Sequence, residues 1–146
     1  DEVRLEMIPK LRAWKKYDSP EMFRDIAFID FNKKLLGVNY KVSKLTTRLD
    51  IEALDKFIIM QSTGLKDKNG VEIYEGDIVI LQEGHSSYYI VEWNDGGMWV
   101  FRYMNDKKQY YALNTILDFL DYSSFECKVI GNIYENPELL EDTKND

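Results

Sequence analysis

Four carboxylates, Asp67, Glu72, Glu75 and Asp77, crowd one short stretch and are the nearest thing in the chain to a reactive set. Paired carboxylates can ligate a hard cation or exchange protons. Their spacing lacks the alternate ligand positions and closing glutamate of a calcium loop. Turn formation is the better reading. Asp77, directly after Gly76, can accept backbone N–H bonds and fix the bend into the strand that follows. Gly64, Gly70 and Gly76 recur every six residues, which is neither a dinucleotide fingerprint nor a phosphate loop, and neither Lys66 nor Lys68 stands where a phosphate-loop lysine would. The glycines read as positive-φ turn residues, with Asn69-Gly70 the strongest turn pair in the chain.

His85 is the single histidine and Cys127 the single cysteine. One histidine in a Gly/Ser loop gives no multi-histidine metal site. The adjoining Ser86 and Ser87 sit in no nucleophile elbow, and a base next to its nucleophile in sequence rarely has the geometry for attack. Cys127 lies on the apolar side of an alternating segment, the place of a small buried hydrophobe rather than a reactive thiol. No metal, cofactor or catalytic residue is assigned on these grounds.

The aromatic residues make a stronger claim. Tyr88, Tyr89, Trp93, Trp99, Phe101, Tyr103, Tyr110 and Tyr111 come from neighbouring segments that alternate with period two. Trp93, Trp99, Phe101 and Tyr103 form a candidate binding face, because exposed aromatics on a sheet can stack bases, dock proline-rich peptides or meet a second subunit. The competing reading is that other parts of the chain cover that face.

These residues need strands to position them. Lys10–Lys15 reads as a short first strand, followed by turn residues at Tyr17–Pro20. Asp25–Phe31 and Leu35–Tyr40 flank Asn32-Lys33-Lys34 as a hairpin. The stretch 41–56 fits neither period, so a short strand and a helical turn both remain open. Phe57–Gln61 is a strand bounded by Ser62-Thr63-Gly64. Further strands are expected at Ile78–Gln82, Tyr88–Trp93 and Met98–Met104, with turns at Asn94–Gly97 and Asn105–Lys108. Leu113, Ile116, Leu117 and Leu120 then lie on one helix face up to Asp121. A closing strand runs through Phe125, Cys127, Val129 and Ile133, and Pro137 starts a last short helix.

The bulk numbers set limits. The 146 residues, 45% hydrophobic and 14% aromatic, can bury a core without staples. The formal charge of −7, from 26 acidic and 19 basic residues, disfavours nucleic acid as a partner. Local basic clusters at Lys10, Arg12, Lys15 and Lys16, and at Lys107-Lys108, read as solvated. A lone cysteine, no spanning apolar run and no signal-peptide plan make a cytoplasmic protein with no membrane role the default.

Four blocks in order resemble the YopX family of phage and prophage proteins: Lys10–Trp14 (Lys-Leu-Arg-Ala-Trp), Met60–Gly70, Glu72–Val79 and Val129–Leu140. Residues 17–56 do not match block by block. The resemblance implies a small phage-encoded protein of the bacterial host cytoplasm with a β-rich C-terminal part, and it transfers no catalytic motif. The expected fold is α+β and mostly β: an N-terminal β-hairpin subdomain (7–56) packed on a small antiparallel SH3-like barrel with one helix (57–136). A short helix and acidic tail (137–146) follow, and residues 1–6 read as upstream or added sequence. The expected role is non-enzymatic, by binding a host or phage protein or by homo-oligomerisation. The alternatives are a nucleic-acid-binding barrel and a metal-dependent enzyme built on the acidic cluster. Gly64, Asn69, Gly70, Gly76 and Asp77 are assigned to structural turns.

Overall fold

The structure is a computed structural model and describes residues 10–81, 87–112, 115, 117 and 127–142. It is mostly β, with antiparallel sheets throughout. The chain divides into two units, Asp1–Gln61 and Ser62–Asp146.

In the first unit, β1 (Leu11–Lys15) pairs with β2 (Glu21–Phe23) on one side and with the start of β6 (Phe57–Lys66) on the other. A second sheet has the order β3 (Ile26–Asp30), β4 (Leu35–Lys41), β5 (Thr47–Ala53). The β3–β4 hairpin turns where the sequence places it. The Asp30 carboxylate accepts the Lys33 N–H at 2.9 Å, and Lys34 takes a positive φ of 57°. Alternation in β4 sends Leu36 and Val38 inward to a core with Ala13 and Phe57, joined by Phe23, Ile26, Ile29, Leu54 and Ile59. The stretch that fits neither period contains both alternatives, strand β5 followed by a 3-10 turn at Leu54–Lys56. Strand β2 escaped the sequence reading because three residues carry no measurable period. One reading is corrected: Arg12 is buried, not solvated, because the face of β1 opposite the core residue Ala13 is covered too, and Lys15 is held by Glu52 at 3.0 Å.

In the second unit, the remainder of β6 pairs with β7 (Glu72–Tyr74). A five-stranded antiparallel sheet follows, in the order β11 (Tyr110–Ala112), β10 (Met98–Tyr103), β9 (Tyr89–Asn94), β8 (Asp77–Ile80), β12 (Lys128–Asn132). It curls into a half-barrel. The concave core holds Ile73, Val79, Leu81, Val91, Trp99, Phe101 and Cys127. A helix at Glu138–Asp142 follows Pro137 as expected. The helix read at Leu113–Asp121 lies outside the described residues except at Thr115 and Leu117, both helical.

Strand β6 does not stop at Ser62-Thr63-Gly64. That triplet is a bulge inside the strand, where the register with β7 shifts between Ser62 and Lys66. The Ser62 hydroxyl accepts the Gly64 N–H, and the Thr63 hydroxyl accepts the Leu65 N–H while donating to the Ile73 carbonyl. Gly64, at φ 79°, supplies the conformation a side chain would resist.

The acidic stretch is built into the fold. One Asp67 carboxylate oxygen accepts the Asn69 and Val71 N–H groups at 2.9 and 2.8 Å, closing the Asn69-Gly70 turn. Its other oxygen accepts the Val129 N–H at 2.9 Å, from β12, 62 positions later. Asp77 accepts the Tyr74 N–H at 2.7 Å across Gly76. The Glu72 carboxylate takes the Tyr74 hydroxyl at 3.2 Å. Asp67 and Asp77 are both buried, so these bonds replace the water their charges lose. Replacing Asp67 by Ala leaves three N–H groups without their acceptor. It is expected to cost about 3 kcal/mol in urea unfolding. Asp67→Asn, which keeps one acceptor oxygen, costs less, and a loss below about 1 kcal/mol for the alanine variant contradicts this role.

Candidate functional site

Register across β9 and β10 sets Trp93 opposite Trp99, Val91 opposite Phe101 and Tyr89 opposite Tyr103; Phe101 also faces Tyr111 on β11. All seven side chains therefore share one face of the sheet. The face is not uniformly open. Its middle is core: Phe101 and Val91 are buried, and Trp99 is only 8% exposed. Trp93, 53% exposed, stands edge-on to Trp99 at one end, with ring centroids 5.0 Å apart. At the other end Tyr89 packs between Tyr103 and Tyr111, each ring 5.5 Å away. Of the four aromatics assigned to a binding face, Trp99 and Phe101 belong to the hydrophobic core, because the sheet curls over its own centre. Trp93 and Tyr103 mark two separate margins.

The tyrosine margin is concave. Ser87, Tyr89, Tyr103, Lys108, Gln109, Tyr110 and Tyr111 line a pocket of about 510 Å³, within the range of ligand-binding clefts. The turn between β10 and β11 sets its rim. Asp106 accepts the Lys108 N–H at 3.1 Å and the Gln109 side-chain amide at 3.2 Å, and its carbonyl takes the Gln109 N–H at 2.9 Å. The Tyr103 N–H then donates to the Gln109 carbonyl, tying the turn to β10. From the opposite face Arg102 pairs with Glu92 at 2.6 Å, donates to the Lys107 carbonyl and lies over the Tyr110 ring. Lys108 and Gln109 are thus presented by a braced turn.

The pocket's chemistry is that of neutral hydroxyls. Burial, reinforced by a hydrogen bond to Tyr111, pushes the Tyr89 hydroxyl up to about 12. At neutral pH it donates and accepts hydrogen bonds but is no phenolate base. The Cys127 thiol, in the core, is pushed up to about 12 by burial and by the nearby Asp67 charge, which keeps it un-ionised. Among the described residues no group of three or more His, Cys, Asp or Glu side chains is arranged to hold a metal ion, and no helix is long and apolar enough to cross a membrane. His85 and Ser86 lie outside the described residues.

A profile of the YopX family, described as YopX protein, matches residues 10–141. The chain belongs to the YopX family. Protein EF1440 from Enterococcus faecalis has a similar solved structure, with 31% sequence identity and a TM-score of 0.55. The match covers 91% of this chain and 98% of that one. The protein YopX from Bacillus subtilis shares the fold at 20% identity and a TM-score of 0.51, covering 89% of this chain and 96% of that one. No functionally curated protein matches. In this YopX-family chain the second, third and fourth blocks contain the β6 bulge, the Asp67 turn, the Gly76-Asp77 bend and strand β12 with the turn after it. In that last turn the Asn132 side chain accepts the Tyr134 and Glu135 N–H groups. The family-like residues are therefore mostly scaffold, and the tyrosine pocket lies between blocks.

Sequence reasoning named Tyr89, Tyr103, Tyr110 and Tyr111 in one aromatic set but assigned only Tyr103 of them to a binding face. Tyr89 and Tyr103 alternate onto one face, which was readable. Strand β11 is three residues long and adjoins a helical pattern, so the pairing that brings Tyr111 to Tyr89 was not.

Because the Tyr89 and Cys127 groups ionise later in the folded than in the unfolded chain, the folded state holds their protons longer. Stability is flat below about pH 9 from these groups and falls as pH climbs toward about 12. Thermal melts across that window should show a falling Tm, and Tyr89→Phe should flatten the decline above pH 10. The thiol should stay unreactive to a disulfide reagent at pH 8 until denaturant is added; rapid native reaction would contradict its placement.

Proposed function

We propose that this YopX-family protein is a non-enzymatic, phage- or prophage-encoded binding protein of the host cytoplasm that takes an extended segment of another protein into the tyrosine pocket. The single observation that carries the reading is the pocket itself: four tyrosines on a braced sheet margin, with Lys108 and Gln109 on a held turn. Tyrosine offers a broad apolar face and a hydroxyl at low entropic cost, the combination that recurs where proteins grip peptides. Ridged aromatic clefts suit proline-containing segments, which are already extended and lose little freedom on docking. Lys108 adds a cation that favours a carboxylate on the ligand. Support for the absence of turnover comes from the protonated state of the Tyr89 hydroxyl and the Cys127 thiol, and from the buried carboxylates of Asp67 and Asp77 being spent on backbone N–H groups.

A displayed library of proline-containing peptides, selected on the wild-type protein, tests this. Selected peptides should bind at least about tenfold more weakly to Tyr103→Ala, as expected for an aromatic anchor. Lys108→Ala should weaken those that carry an acidic residue, and Trp93→Ala, at the far end of the face, should leave binding unchanged. Peptides indifferent to Tyr103→Ala would overturn the proposal. Salt-dependent retention of single-stranded DNA or RNA, lost in Tyr103→Ala, would replace it with the nucleic-acid alternative.

A further inference from the structure

The first unit carries a feature unrelated to the tyrosine pocket. Strand β5 is the last strand of its sheet, and among the described residues its backbone bonds to no strand but β4. Sheet edges are usually blunted by bulges, proline or charge on the edge. The opposite edge, β3, has a bulge between Ile26 and Phe28. Strand β5 has no bulge, all seven of its residues pairing with β4 in unbroken register, and its charges, Arg48, Asp50 and Glu52, alternate onto one face and leave the other apolar.

The direction of its backbone groups follows from the ladder ends. The Leu54 N–H bonds the Lys34 carbonyl at 2.8 Å, and the Val42 N–H bonds the Thr46 carbonyl at 3.0 Å. Both are directly opposed pairs, so even-numbered residues of β5 turn their N–H and C=O toward β4. Thr47, Leu49 and Ile51 therefore turn theirs to the open edge. Their side chains lie on the outer face, where Leu49 is 50% and Ile51 52% exposed. The Phe28 ring covers Gly37, the residue opposite Ile51, and extends the same apolar row. Arg48 and Asp50 project from the other face, held to each other by two hydrogen bonds of 2.6 and 3.0 Å.

We propose that β5 is a homodimer interface, pairing antiparallel with β5 of a second copy about a two-fold axis at Leu49. The charge pattern selects both occupant and register. Centred on Leu49, the pairing sets Arg48 of each copy opposite Asp50 of the other, and Leu49 opposite Leu49. Thr47 and Ile51 then exchange the outward hydrogen bonds. The Arg48–Asp50 positions become the closer, non-hydrogen-bonded pairs, where opposite charges attract most. Centring on Arg48 or on Asp50 would place like charges face to face, so the neighbouring registers are disfavoured. The sequence Arg48-Leu49-Asp50 is complementary to itself read backwards, which is the property an isologous contact requires. The two three-stranded sheets then form one continuous six-stranded sheet, and the open β5 edge of each copy is covered.

Sedimentation equilibrium over a concentration series tests the proposal. The wild-type chain should approach twice the single-chain mass, with weaker association at high salt. Arg48→Asp should weaken the dimer at least about tenfold by opposing carboxylates twice. Adding Asp50→Arg to it should restore the dimer, because the swapped pattern is again self-complementary. Leu49→Lys, which sets two ammonium groups against each other at the axis, should give a monomer with unchanged circular dichroism, and serves if the charge variants fold poorly. A wild-type chain that stays a monomer at the highest clear concentration overturns the proposal, as does a dimer that persists in both Arg48→Asp and Leu49→Lys. Peptide binding at Tyr103 is read separately and is independent of either result.

Discussion

One buried carboxylate holds the second unit together. Asp67 closes the tight turn after β6 with one oxygen and with the other grips the Val129 N–H of β12. A local turn and a distant strand share the two oxygens of one carboxylate, so the turn and the docking of β12 favour each other. The Lys68 N–H adds a second tie by donating to the Cys127 carbonyl at 2.9 Å. A charge this deeply buried is tolerated only when its lone pairs are filled, and here backbone N–H groups fill them. The same charge lies near Cys127 and helps keep that thiol protonated. Asp67, Glu72 and Asp77, which look like part of a reactive cluster in one dimension, are thus bonded within the fold.

With β12 pinned, β8 is flanked by β9 on one side and β12 on the other, and the sheet curls over Val79, Val91 and Phe101. Curling divides the aromatic face. The middle becomes core, and the two ends become margins of different character: an indole pair at one, a tyrosine trio at the other. The tyrosine end has a turn braced by the Asp106 side chain beside it, and there the face becomes a pocket. The inference of a binding protein rests on that asymmetry rather than on aromatic abundance.

Much of the fold was legible. Period-two alternation located β9 and β10, and a short turn between two apolar arms located β3 and β4. The Asn69-Gly70 and Gly76-Asp77 turns were legible because they depend on backbone conformations that few residues adopt. Three short strands, β2, β7 and β11, were not, since a three-residue strand is defined by its partner. Arg12 was misplaced because charge argues for solvent, whereas β1 is covered on both faces, with Arg12 on one and Ala13 on the other. The continuation of β6 through Ser62-Thr63-Gly64 was hidden because bulge residues and terminating residues are the same types.

The sequence by itself determined the β-rich class, the family and the turn chemistry, all of which depend on near neighbours and residue type. It also wrote the self-complementary Arg48-Leu49-Asp50 pattern, although nothing in one dimension marks β5 as an edge. Tertiary structure alone decided which aromatics are core and which are surface, that β5 ends its sheet, and that Tyr111 meets Tyr89. Those outcomes depend on pairings between distant segments, where register and curl choose the face each side chain occupies.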